Sequence, residues 1–294
     1  MSRSKRIQQH VPPKPRRHIL RNDIFTLAAA VAGYFLLTVA VRLGLGALLR
    51  ALFAVWNLRP DTVARAPGWA RALYGWQGSI VTLVVDAAAV LYVMRACRVK
   101  LRRPGGRDLG RWWAVGTGAA LVSAAVFLAT DSLRLVWLLG RPRLTPGLLP
   151  LWALTLLTAL AEELFTKGVV YDRVKRRWGR IWAVMASTLL FFLINGGYSG
   201  TWISAVNVAL MGVFCALCHD RLGLWAPVGF RWGWAFADVF LLGQGGGDNA
   251  VYKLYGVSEA LLTGGDAGLV YGLWVTAALA LLTGIAVRNR YQYE

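Results

Sequence analysis

Eight apolar runs, each of about 20 residues, constrain this chain more than any other feature: about 24–48, 74–96, 112–133, 147–170, 180–197, 201–219, 222–242 and 267–287. Roughly 20 apolar residues are what a helix needs to cross the hydrocarbon of a bilayer. Inside lipid every backbone N–H and C=O must be satisfied within the protein, which leaves helices or closed barrels. The runs are too long for barrel strands and lack their two-residue alternation. The reading is therefore an all-α fold, a polytopic membrane helical bundle of about eight transmembrane helices. Composition agrees, since only 16% of the 294 residues are charged, against about a quarter in soluble domains.

Residues 1–22 are basic and contain Pro-Pro, and read as a disordered cytoplasmic tail. The apolar run that follows is too long for a signal-peptide core and reads as a first span that stays in place. Residues 23–294 then form a single transmembrane domain. The formal net charge is +19, but the basic residues cluster in the tail, around Arg98–Arg111, in Arg173–Arg180 and at Arg288 and Arg290. With eight spans these fall on one side. That is the positive-inside pattern, and it places both termini in the cytoplasm and the chain in a plasma (inner) membrane, with the Arg- and Ala-rich usage of a GC-rich bacterium. No basic face is interleaved with stacking aromatics outside the spans, so nucleic acid is not an expected partner. Three cysteines, Cys97, Cys215 and Cys218, give no disulfide framework.

Polar residues within the runs are Asp86, Asp131, Glu162, Glu163, Lys167, Asn195, Asn207, Arg231 and Asp238. Ionisable groups at membrane depth are costly, face the protein interior and mark function. Glu163 and Lys167 stand at i and i+4 in the favourable order for a helical ion pair. Glu162 points about 100° away from its neighbour and needs a partner on another helix, for which Asn195 and Arg231 are the candidates. Asp86 and Asp131 read equally as span-end residues or as partners of loop arginines.

From the fourth run onward the chain resembles the CPBP intramembrane proteases, which include the CAAX prenyl endopeptidases. That family's pattern opens with two adjacent Glu and then Arg after three residues; here it reads Glu162-Glu163-Leu164-Phe165-Thr166-Lys167, with the usual Gly168. Its Phe-x-x-x-His reads Phe191-Phe192-Leu193-Ile194-Asn195. Its His-x-x-x-Asn, after a Leu224-Trp225-Ala226-Pro227 segment, reads Arg231-Trp232-Gly233-Trp234-Ala235. Leu261–Gly268 resembles the last loop before the final span. The protease-like core is then about 147–287, and the first three runs carry no recognisable motif.

The resemblance implies that the first Glu and two His hold or activate a hydrolytic water. Here both histidines are replaced, by Asn195 and Arg231, and the Arg by Lys167. Asn accepts no proton at neutral pH and Arg does not give one up. A cation beside Glu162 would make it a poorer base and repel a divalent metal. The remaining histidines, His10, His18 and His219, lie outside the depths of the spans. No metal and no cofactor are expected. Asp238, two helical turns past Arg231, offers one rescue: a Glu162–Asp238 pair sharing a proton, with Arg231 or Asn195 stabilising an oxyanion.

Cys215-Ala216-Leu217-Cys218-His219 matches the C-x-x-C-H haem pattern, but it ends an apolar helix on the side opposite to haem attachment and reads as packing. Gly243–Asp248 fits no phosphate loop and reads as a flexible loop on the other face. Glu162, Glu163, Lys167, Asn195, Arg231 and Asp238 are therefore the candidate catalytic positions or their neighbours. The expected function is that of a non-catalytic or altered protease-like protein, binding a membrane segment, lipidated peptide or partner in a polar cavity. The alternatives are an endopeptidase using Glu162 and a transporter or proton pathway. Beyond the lipid bilayer, the oligomeric state and the partner stay open.

Overall fold

The computed structural model describes residues 17–101, 106–129, 133–135, 148–196, 202–243, 254–256 and 272–288. Helices account for nearly all of them: α1 (Arg17–Val55), α2 (Gly68–Arg95), α3 (Gly106–Ala129), α4 (Leu148–Glu163), α5 (Asp172–Trp178), α6 (Arg180–Ile194), α7 (Trp202–Leu222), α8 (Trp225–Ala235) and α9 (Leu273–Arg288). A π-helical stretch, Leu164–Tyr171, joins α4 to α5, and a second, Phe236–Leu241, extends α8. Counted as continuous rods these match the eight apolar runs. Five helical segments, Asp23–Val55, Gly68–Arg95, Arg107–Ala129, Leu149–Trp178 and Trp202–Leu222, are long and apolar enough to cross a membrane, and Arg180–Ile194 and Leu273–Ala286 are shorter apolar helices. The chain is a polytopic helical bundle.

Four details differ from the sequence reading. Helix α1 reaches back to Arg17, into the segment read as tail. The basic stretch Asp172–Arg177, between the runs 147–170 and 180–197, is helix, because the π segment carries the rod on until Gly179, whose φ of +88° ends it. The gap between the runs 201–219 and 222–242 is helical as well: α7 continues through His219–Arg221 to Leu222, and Gly223 at φ +83° makes the reversal. A three-residue antiparallel ribbon, Leu133–Leu135 with Leu254–Gly256, lies beyond the end of α3. Asp131, residues 244–253 and Leu261–Gly268 fall outside the described residues.

Tertiary packing gives the first three helices clear roles. Helix α3 lies along α8 with backbones nearly touching. A Cβ on Gly233 would collide with the Trp113 carbonyl, one on Gly116 with the Phe230 carbonyl, and one on Gly229 would lie 2.8 Å from the Leu109 carbonyl oxygen. Gly229 and Gly233 form the small-x-x-x-small pattern by which membrane helices approach closely. Thr117 Oγ1 then donates to the Gly233 carbonyl across 3.1 Å. Helix α2 packs on α4, where Thr158 Oγ1 donates to Asp86 Oδ2 at 2.5 Å. On α1, Tyr34 stacks on Phe165 of the π segment at 3.7 Å between ring centroids.

Helix α9 is pinned through Asn207. Its Nδ2 donates to the Gly272 carbonyl at 2.9 Å, and its Oδ1 accepts from Thr276 Oγ1 at 2.6 Å. This fully buried amide ties α7 to α9, and in lipid an unsatisfied amide would be expensive.

Candidate active site

The site is built where three rods meet. Glu162 and Glu163 sit at the end of α4, just before the helix widens into its π segment. Within the widened stretch, Thr166 Oγ1 donates to the Glu162 carbonyl at 2.8 Å. Such wide turns recur at functional sites, where they re-aim side chains. Asn195 is the residue that ends α6, its N–H bonded to the Phe191 carbonyl at 3.0 Å. Arg231 lies in the middle of α8, held in place by the glycine contact with α3.

These three side chains close a ring. Asn195 Nδ2 donates to Glu162 Oε2 at 3.0 Å, and Arg231 Nη2 donates to Asn195 Oδ1 at 3.0 Å. Arg231 Nη1 completes it with a charge-assisted bond to the same Glu162 oxygen. Each member therefore bonds both others. Partner-matched polar sets of this kind are what a low-dielectric interior tolerates.

Glu163 and Lys167 lie deeper, both with no exposed surface. Their charged atoms are 3.6 Å apart, and Arg231 Nη1 is 3.8 Å from the other Glu163 oxygen. These are ion-pair distances rather than hydrogen bonds, and the Glu163 carboxylate accepts none among the described residues. Lys167 Nζ donates to Thr166 Oγ1 at 3.3 Å and stands 4.9 Å from the Phe191 ring centroid, with Arg231 Cζ 4.6 Å from the same ring. Two acids and two bases thus share one buried locus, around an aromatic face that suits cations.

Two cavities flank the ring. One of about 320 Å³ lies among α1, α2, α4 and α6 and is lined by Tyr34, Arg42, Asp86, Glu162 and Leu193. The other, of about 170 Å³, is lined by Phe191, Asn195, Met211, Arg231 and Asp238. Glu162 faces the first; Asn195 and Arg231 face the second, so the hydrogen-bonded ring is the wall between them.

Of the six sequence candidates, the structure joins Glu162, Asn195 and Arg231 directly, with Glu163 and Lys167 adjoining. Asp238 shares the smaller cavity with Arg231 but lines a different one from Glu162, whose Oε2 is taken by Asn195 and Arg231. The two carboxylates thus line separate cavities. Asp86 corrects the sequence reading in another way. It is a buried residue within α2, bonded to Thr158 and facing the same cavity as Glu162, rather than a span-end group. Its signal was an isolated acid in an apolar run, without a motif to place it.

The donor set does not fit a divalent cation. Its polar atoms are one guanidinium, whose charge repels a cation, one amide oxygen already accepting from it, and a carboxylate bound to both, whereas such ions take imidazole or thiolate ligands or uncommitted carboxylate, carbonyl and water oxygens. Cys215 and Cys218 are buried in apolar packing, and His219 Nε2 lies 2.9 Å from Asp172 Oδ1.

No curated protein and no solved structure matches the chain. Residues 144–237 do match a family model, and this segment, about a third of the chain, contains every member of the hydrogen-bonded ring. The resemblance carried by the paired glutamates is thus shown over that segment, which is similar to the type II CAAX prenyl endopeptidase, Rce1-like family.

Proposed function

We propose that this CAAX-protease-like membrane protein has retired or altered its hydrolytic chemistry and uses its polar intramembrane cavity to bind a membrane segment, a lipidated peptide or a partner protein. The observation that carries the reading is the occupied Glu162 carboxylate, bonded at one oxygen by both Arg231 and Asn195. A general base needs a free lone pair aimed at water and a proton affinity matched to the operating pH. At Glu162 the Oε2 lone pairs are already engaged by the Arg231 guanidinium and the Asn195 amide. The larger cavity, with Tyr34 and Leu193 beside Asp86 and Glu162, suits a mostly apolar ligand with a polar or cationic group.

One observation favours the competing reading of an active endopeptidase: Asp238 lines the same cavity as Asn195 and Arg231, so a second carboxylate is near the ring. A proteolysis assay in liposomes, with a prenylated CAAX-type peptide, separates the two. Wild type, Glu162→Ala and the double variant Asn195→His with Arg231→His are compared, with zinc and with chelator. We expect no wild-type cleavage, with activity arising only in the double-His variant. Cleavage by wild type that Glu162→Ala removes would overturn the reading.

A further inference from the structure

We propose a second binding site, for the phosphate of an anionic lipid headgroup, in the cavity between the start of α1 and helix α5. This cavity, of about 420 Å³, is lined by Arg173, Arg176, Arg177 and Trp178 from α5 and by Asp23 and Thr26 from α1. Positions 173, 176 and 177 are i, i+3 and i+4, so the helix presents the three guanidinium groups on one face. It does so at the end of the bundle, because Gly179 stops the rod directly after Trp178.

The arginines differ in how far they are committed. Arg173 Nη2 donates to the Cys97 carbonyl at 3.2 Å, tying α5 to the end of α2. Arg177 is not satisfied: its Nε and Nη2 are shut off from solvent and make no hydrogen bond among the described residues. The nearest carboxylate oxygen, on Asp23, is 3.8 Å from Nε, an ion pair without a hydrogen bond. Buried donors without acceptors are costly, and a guanidinium edge is shaped for the paired oxygens of a phosphate. Three cations face one half-exposed carboxylate, so the cavity has positive charge to spare.

The surroundings favour a lipid over a free anion. Trp178 is 38% exposed, and Ile181 and Trp182, at the start of α6, are 75% and 60% exposed. An exposed Trp pair next to a basic pocket at a helix end is the pattern of the membrane interface, where arginines meet anionic headgroups. Helix α5 does not depend on the cavity for its position. Asp220 bonds both Lys175 and Arg180, the latter at 2.8 Å, and His219 bonds Asp172. Arg176 and Arg177 are therefore not needed to hold α5, and the site stands whatever the state of Glu162.

The test uses the full chain in detergent, titrated with dihexanoyl phosphatidylglycerol and, in parallel, with inorganic phosphate. Retained lipid is read by native mass spectrometry and binding by the rise in unfolding temperature. Arg176→Gln with Arg177→Gln should weaken phosphatidylglycerol binding roughly 30-fold. Lys100→Gln, an exposed cation outside the cavity, should leave it unchanged. Asp23→Asn, which removes the carboxylate competing for Arg177, should tighten it. If Arg177→Gln fails to fold, the exposed Arg176→Gln alone and Asp23→Asn still give opposite shifts. Wild-type binding by the double variant, an equal loss in Lys100→Gln, or displacement of the lipid by inorganic phosphate at equal concentration would each overturn the proposal.

Discussion

Replacing Arg231 by Gln tests the buried ring most directly. The wild-type locus balances Glu162 and Glu163 against Lys167 and Arg231; the variant leaves one carboxylate without a counter-charge. Removing one member of a buried ion pair costs about 3–5 kcal/mol. The Glu162 and Arg231 side chains are 13% and 17% exposed at the cavity walls, and the introduced glutamine would retain a donor toward Asn195. Both favour the lower end, about 3 kcal/mol. Adding Glu162→Gln removes the stranded charge, so the double variant should recover at least half of the loss, a coupling of about 1.5–3 kcal/mol. Reversible unfolding in mixed micelles with increasing SDS, across wild type, the two single variants and the double, measures each term. A single-variant loss under about 1 kcal/mol, or losses that simply add, would refute the picture of a closed, charge-balanced ring.

Two further outcomes follow from the packing. Gly233→Ala places a Cβ against the Trp113 carbonyl, so α3 and α8 must part and stability should fall by several kcal/mol, more than the roughly 1–3 kcal/mol usual for overpacking; Gly118→Ala, elsewhere on α3 and with nothing within 4 Å, should be within about 0.5 kcal/mol of wild type, both read by the same unfolding assay. Lys167→Met alone should cost about 3–5 kcal/mol by stranding Glu163, whereas Lys167→Met with Glu163→Gln should return most of it, and equal instability of the single and double variants would refute the pairing.

Glu163 and Lys167 were legible in the chain because an ion pair four residues apart on one helix is a local geometry. The convergence of Glu162 with Asn195 and Arg231 was legible only as a demand: a lone acid at membrane depth must find a partner, and few were available. Asp86 shows the limit of that reasoning. Its partner Thr158 is an ordinary hydroxyl in an apolar run, one of several that would have served, so nothing local marked it. Gly229 and Gly233 carry the spacing of a helix contact, yet the surface they meet on α3 depends on how the whole bundle closes.

The sequence by itself determined the number of helical rods, their apolar character and the polar residues that had to be sheltered. Only the tertiary structure decided that Arg231 occupies the Glu162 carboxylate, that the resulting ring divides two cavities, and that Arg177 faces a pocket with its donors unsatisfied. The physical reason is one of range. Hydrophobic length and helical periodicity are properties of consecutive residues, whereas the bonding of a buried charge is set by helices far apart in the chain, brought together by backbone contacts such as those of Gly116, Gly229 and Gly233.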